Sequence, residues 1–388
     1  MIDIAILNKL NVPSADERLA NLRQVCASAQ FPPMVAQYIN NHIHTTYSFS
    51  PYSPTAAVFA ARMEGLCTAG IIDHDSIAGA REFLAAAQIV GMPATVGMEC
   101  RVSMDGTTLA GRRANNPDQV GVSYMTLQSV PHDRIDEVQA FFAPYRAARH
   151  VRNRAMVERI NALLPGIELD YDRDVLPLSE AASGGVTERH LMYALAKKMV
   201  AKAGKGAAMV EYLASIGLTL SEKQRAQMLD TAYAFYEYDL LGILKSAFVP
   251  KVYIDATDEC PKVADVVALC ERVDALLCYA YLGDVTASVT GDKKAQKFED
   301  DYLDDVIACL KACGIRAVTY MPTRNTPEQL ERLRRLCDEN GLFQVSGEDI
   351  NSPRQSFIIR AMENPLFSNL VSATWKLIEH EKTGSAIC

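Results

Sequence analysis

The sequence predicts an α/β fold in which strands alternate with helices and a long helical insertion interrupts the rhythm. Three observations predict it: short apolar runs spaced by helix-length segments, brief connections between them, and a central stretch nearly free of strand signal. Such alternation implies parallel strands joined by crossover helices. A doubly wound open sheet shares this rhythm, but no glycine-rich phosphate loop follows the first strand.

Residues 1–34 read as an N-terminal helical extension. Ser14 and Glu17 fit a capping box that opens a helix reaching about Ser28, and Pro32-Pro33 ends it. Val35 to Ile39 begins the first strand, which ends at His42-Ile43-His44. A helix starts after Pro54, and Gly70 to Asp73 is a short apolar strand. A helix from about Ile77 to Val90 and strands at Ala94 to Arg101 and Val120 to Leu127 complete a first α/β part, residues 35–130. Residues 131–248 are rich in Ala, Leu, Arg and Glu, as in Ala147 to Leu164, Leu191 to Ala203 and Ser221 to Leu244, and form the helical insertion. The rhythm resumes in 249–388 with Leu276 to Tyr281, helix Phe298 to Cys313, strand Arg316 to Tyr320, helix Pro327 to Asn340, strand Leu342 to Ser346 and a C-terminal helix.

A chain of 388 residues with 49% hydrophobic and 22% charged residues has the make-up of a soluble globular protein. Its net charge of −8 argues against nonspecific binding to nucleic acid or to anionic membrane. An anionic small-molecule substrate stays open, because a bound cation reverses the local field. The N-terminus carries acids among its apolar residues, unlike a signal peptide, and no uncharged stretch is long enough to cross a bilayer. Ten cysteines without a C-x-x-C pair fit buried, reduced thiols in a cytoplasmic protein.

Parallel strands gather their C-terminal ends at one rim, where barrel enzymes keep their chemistry. The polar residues at those ends form a consistent set. The first strand offers His42 and His44, whose i, i+2 spacing aims both imidazoles to one side. The second offers Asp73-His74-Asp75, the third Glu99 in Gly97-Met98-Glu99, and the last Asp349 and Asn351 in Ser346-Gly347-Glu348-Asp349-Ile350-Asn351. Imidazole and carboxylate are metal ligands, although each residue singly could be a loop residue or a helix cap.

In this order the segments His42-Ile43-His44-Thr45, Ile72-Asp73-His74-Asp75-Ser76, Gly97-Met98-Glu99 and Ser346 to Asn351 resemble the PHP family, named for polymerase and histidinol phosphatase. Thr187 to Leu195, with His190 leading a helix, is similar to a further family element. The resemblance implies a distorted seven-stranded (β/α) barrel with a metal cluster at its C-terminal rim, in a family chiefly of phosphoesterases. It implies that His42, His44, Glu99 and Asp349 hold one metal. Glu99 would bridge to a second metal at His190, and His74 would serve a third position, with Asp73 and Asp75 orienting it. His190 is alternatively a helix-face histidine, and Asp75 alternatively an N-cap. Where the family usually ends its last motif with histidine, this chain has Asn351, a neutral oxygen ligand. In the strand after the bridging glutamate, where the family usually has a histidine, only Tyr124, Gln128 or the later His132 stands.

The expected chemistry is hydrolysis of a phosphate ester, a phosphomonoester or nucleotide-like small molecule, by metal-activated water. The cofactors are divalent cations, two in number, with Zn, Mn and Fe suiting a mixed His/carboxylate set. His74 or Asp75 would donate a proton to the leaving group. Arg101, Arg324 and Arg354, each just past a strand end, are the candidate phosphate contacts, and the insertion would roof the rim. The competing reading is a metal-binding or interaction module of the same fold that has lost catalysis.

Overall fold

The computed structural model describes residues 3–180, 183–284 and 299–387. Seven strands pair in chain order: β1 (Val35–Ile43), β2 (Leu66–His74), β3 (Ala94–Ser103), β4 (Val122–Gln128), β5 (Leu276–Ala280), β6 (Ala317–Tyr320) and β7 (Phe343–Ser346). An isolated parallel bridge from Ile43 to Ile350 joins the two edges, so the sheet is a nearly closed barrel.

The strands are not all parallel, contrary to the sequence-based expectation. β4 runs antiparallel to both neighbours, with Ser103 opposite Val122 and Gln128 opposite Leu276. A parallel return needs a crossover, usually helical, and residues 104–121 contain no helix, so the chain simply folds back. β4 is buried along most of its length, and its apolar run says nothing of direction. Its C-terminal end therefore lies at the opposite end of the barrel from His42 and His44. Gln128 and His132 go with it, and His132 contacts Glu381 there at 3.1 Å.

The helices follow from ordinary signals. α1 (Ile4–Leu10) and α2 (Ala15–Cys26) form the N-terminal extension; Ser14 accepts the Glu17 N–H as an N-cap. α3 (Pro54–Met63) and α4 (Ala80–Val90) cover the first strands. Next come α5 (Ile135–Phe141), α6 (Ala143–Leu163), α7 (Glu188–Ala203), α8 (Ala207–Ser215), α9 (Glu222–Leu229) and α10 (Tyr236–Val252). α11 (Val263–Val273), α12 (Leu303–Ala312), α13 (Pro327–Asn340) and α14 (Ser368–Thr383) complete the set. The helix-rich stretch 221–244 divides between α9 and α10, and the expected start of α12 at Phe298 lies outside the described residues.

Two apolar cores result. One fills the barrel and its flanking helices, and Ile135 and Val138 of α5 belong to it. The other is built by the insertion itself from Met156, Leu191, Met199, Leu240, Leu244 and Phe248, joined from the rim by Phe49. α14 seals the far end, where Glu381 accepts from Thr95 and from the Val96 N–H. All nine described cysteines are free thiols, seven of them buried, and no described helix is long and apolar enough to cross a membrane.

Candidate metal centre

The rim gathers His42, His44, His74, Glu99 and Asp349 into one cluster. β1 and β2 are hydrogen-bonded neighbours, as are β2 and β3, and His74 lies directly opposite Glu99 in the register. Asp349 arrives on the loop after β7, held to β1 by the His44 N–H to Ile350 and Ile350 N–H to His42 hydrogen bonds. Around the Glu99 Oε2 stand His74 Nδ1 at 3.1 Å, His42 Nε2 at 3.6 Å and His44 Nε2 at 4.0 Å. His44 Nε2 also lies 3.0 Å from Asp349 Oδ1. Two three-residue sets with converging donor atoms result, His42/His44/Asp349 and His44/His74/Glu99, sharing His44.

The charges inside this cluster are strongly coupled. Burial opposes ionisation of Glu99, but His74, His42 and His44 outweigh it and hold the carboxyl down at about 2. Asp349 is likewise held well below its ordinary range: burial opposes, and His44, His42 and Arg189 prevail. Burial pushes His74 down to about 4, so it is a neutral imidazole at pH 7. For His44 burial is outweighed by Asp349, Glu99 and Asp73, which raise it.

One side chain fixes the orientation of His44. Ser48 donates its hydroxyl to Asp73 at 2.6 Å, and so has only lone pairs left for His44 Nδ1 at 3.2 Å. His44 therefore donates from Nδ1, and its Nε2 lone pair faces the carboxylates. Asp73 also accepts from Thr45 N–H and Thr45 Oγ1, both at 2.6 Å, which pins the turn after β1. The resemblance implied that Asp73 orients His74; instead Asp73 contacts His44 through Ser48. Nothing in the sequence distinguishes Ser48 from its neighbours Ser50 and Ser53.

A divalent cation fits this set. Among the described residues, His42 Nε2 and His44 Nε2 are buried, form no well-aligned hydrogen bond, and face only the carboxylates of Glu99 and Asp349, at 3.6 and 3.0 Å. Two ionised carboxylates face them, and the mixture of imidazole and carboxylate suits Zn, Mn or Fe.

The structure leaves other candidates outside the cluster. His190 is buried at the start of α7, where its Nδ1 accepts the Thr187 N–H at 2.9 Å. That bond leaves the proton on Nε2, so the ring serves the helix cap and presents no lone pair for a metal; burial pushes it down to about 3. Asp75 forms an ion pair with Arg149, which suits an ionised acceptor rather than a proton donor, and α4 starts too far on for Asp75 to cap it. Asn351 lines the cavity, its amide donating to Asp349 Oδ1 at 2.6 Å and its Oδ1 buried without a partner. Arg354 is spent elsewhere: it grips Asp239 of α10 at 2.6 and 2.8 Å and stacks 4.0 Å over Tyr233.

A cavity of about 230 Å³ opens beside the cluster. Arg101 and Arg324 line it, the insertion adds Arg189 and Lys245, and Tyr253 follows just past the insertion. Arg101 is buried against Glu259 in a network with Arg149, Arg152 and Glu188 that the sequence did not disclose.

No family model and no curated protein matches the chain. Among solved structures it is similar to a protein provisionally named a metal-dependent phosphoesterase from Bifidobacterium adolescentis. That match has a TM-score of 0.53 and 21% identity, covering 88% of this chain and 98% of that one. It is also similar to an amidohydrolase from Chromobacterium violaceum with bound sulfate and no metal, at TM-score 0.53 and 15% identity, covering 83% and 90%. At these identities the likeness is one of fold.

Proposed function

We propose that this chain is a metal-dependent hydrolase of phosphate esters carried on small molecules. The observation that carries the reading is the pair of overlapping donor sets sharing His44, one of them ending on Asp349, about 300 residues further along the chain. His42, His44 and Asp349 would hold one cation, and His44, His74 and Glu99 a second position beside it. Bound there, divalent cations supply an activated water and neutralise phosphate oxygens. The fold neighbours named phosphoesterase and amidohydrolase agree with a hydrolase, and the sulfate bound in the latter is a phosphate-shaped anion.

The chain's own residues do the rest. Arg324 lies on the cavity wall, where a guanidinium group would bind phosphate oxygens with bidentate geometry, whereas Arg101, on the same wall, is held by Glu259. Arg189 and Lys245 come from the insertion, which makes that element the selector of the leaving group. His74, neutral at pH 7, offers a lone pair to a cation rather than a proton to the leaving group, and Asp75 is paired with Arg149.

The test is a panel of phosphomonoesters and nucleotides assayed with added Mn²⁺ or Zn²⁺, alongside metal analysis of the purified protein. His42→Ala and Glu99→Ala are expected to lose bound metal and hydrolysis together. Metal retained but no turnover of any ester would favour the catalytically silent metal-binding reading, for which Asn351 in place of a basic ligand speaks. Neither metal nor turnover in the wild type would end the proposal.

A further inference from the structure

The turn that carries His74 is gripped on three sides by the helical insertion. Asp75 sits at φ +55°, a left-handed conformation that costs a non-glycine residue energy and needs support. Two arginines of α6 supply it: Arg149 pairs with the Asp75 carboxylate, and Arg146 donates to the Asp75 carbonyl at 2.9 Å. Ser76 donates its hydroxyl to the Ser183 carbonyl at 2.6 Å. Gly185 passes so close over the turn that an added Cβ would collide with the His74 carbonyl. Arg146, Arg149, Ser183 and Gly185 all belong to the insertion, while β2 supplies only the strand end. Arg149 is itself buried, anchored by Glu188 at 3.4 Å.

We propose that the insertion is a positioning device for His74: α6 and the loop before α7 clamp residues 74–76, and without that clamp the imidazole is not held opposite Glu99. Arg149 and Gly185 are its positioning residues. The arrangement divides the rim in two. The ligands of the His42/His44/Asp349 set sit on β1 and the loop after β7, and the insertion touches that side past His44, at Thr46 and Tyr47, whereas the insertion contacts His74 and Asp75 themselves. The consequence for metal occupancy rests on the hydrolase reading above; the clamp itself does not.

The experiment uses the full chain in three variants: Arg149→Met, the charge-balanced pair Asp75→Asn with Arg149→Met, and Gly185→Ala. Removing Arg149 alone strands Asp75, so loss of stability there proves little; the pair keeps the buried charges even, and Gly185→Ala disturbs the turn without touching a charge. Amide exchange is measured on the chelator-treated protein, and zinc equivalents on the reloaded one. Expected is about tenfold faster exchange in the peptide spanning residues 73–77 of the pair and of Gly185→Ala, with the peptide spanning 38–45 unchanged. Expected too is the loss of the zinc equivalent that needs His74 and retention of the other. Wild-type exchange over 73–77 in both variants overturns the clamp. If exchange quickens but the wild type binds no zinc, the clamp stands and the hydrolase reading falls.

Discussion

Ser48 is the smallest side chain on which the metal reading leans. Its hydroxyl proton goes to Asp73, and this choice forces His44 to donate from Nδ1 and to offer Nε2 to a cation. Ser48→Ala is expected to weaken metal binding by roughly 10–100-fold, with thermal stability of the chelated protein barely altered, as read by calorimetric titration with Zn²⁺. Unchanged affinity would mean that another group sets the tautomer. The convergence of His42 and His44 was legible because spacing on a strand is geometry: the two had to share a face. Ser48, Arg149 and the capping role of His190 were not, since each depends on where distant backbone atoms come to rest.

At the level of the elements, directions and junctions decide more than propensities. The boundaries of most strands and of α13 follow apolar runs and caps that any reader of the sequence can mark. The reversal of β4 does not, because a buried strand has the same pattern in either direction; only the missing helix between Ser103 and Val122 betrayed it. Gly97 marks the same junction: a Cβ there would collide with the Leu127 carbonyl of β4. Gly97→Ala is expected to lower stability by about 1–3 kcal/mol in urea unfolding by prying β3 from β4, and a neutral result would mean the pair can slide apart freely. A second junction is the end of β5, where Glu299 accepts from Tyr279 Oη and from the Leu282 and Gly283 N–H groups. Burial dominates and pushes its carboxyl up to about 7. Between its ordinary value, 4.5, and about 7 the folded protein holds a proton that the unfolded chain has released. Stability from this group is therefore full below the ordinary value, falls as pH rises towards 7, and is flat beyond. The drop is about 3 kcal/mol, and Glu299→Gln should abolish it when urea midpoints at pH 5 and pH 8 are compared.

Across the whole molecule, the N-terminal extension shares the barrel's apolar core through Leu7, Leu10 and Leu22, whereas most of the insertion has a core of its own, and buried charge ties extension, barrel and insertion together. Nothing in the sequence signalled this fastening, because charges hundreds of residues apart carry no local pattern. Arg18 of α2 shows it best. It is 1% exposed, pairs with Glu82 of α4 at 2.6 and 2.9 Å, and reaches Glu180 of the insertion at 3.1 Å. Glu180 in turn accepts from Thr46, two residues beyond His44, and Glu82 accepts from Thr55 at the head of α3. Replacing Arg18 by Met would leave Glu82 buried and ionised without its partner, a cost of about 3–5 kcal/mol. Removing both charges, in Arg18→Met with Glu82→Gln, should return most of that loss, because the penalty lies in the stranded charge and not in the absent attraction. The prediction is therefore a non-additive cycle in urea unfolding: a severe single variant and a double variant more stable than it. Two additive losses would show instead that the ion pair contributes net stability and that the three segments are held by attraction through Arg18 itself.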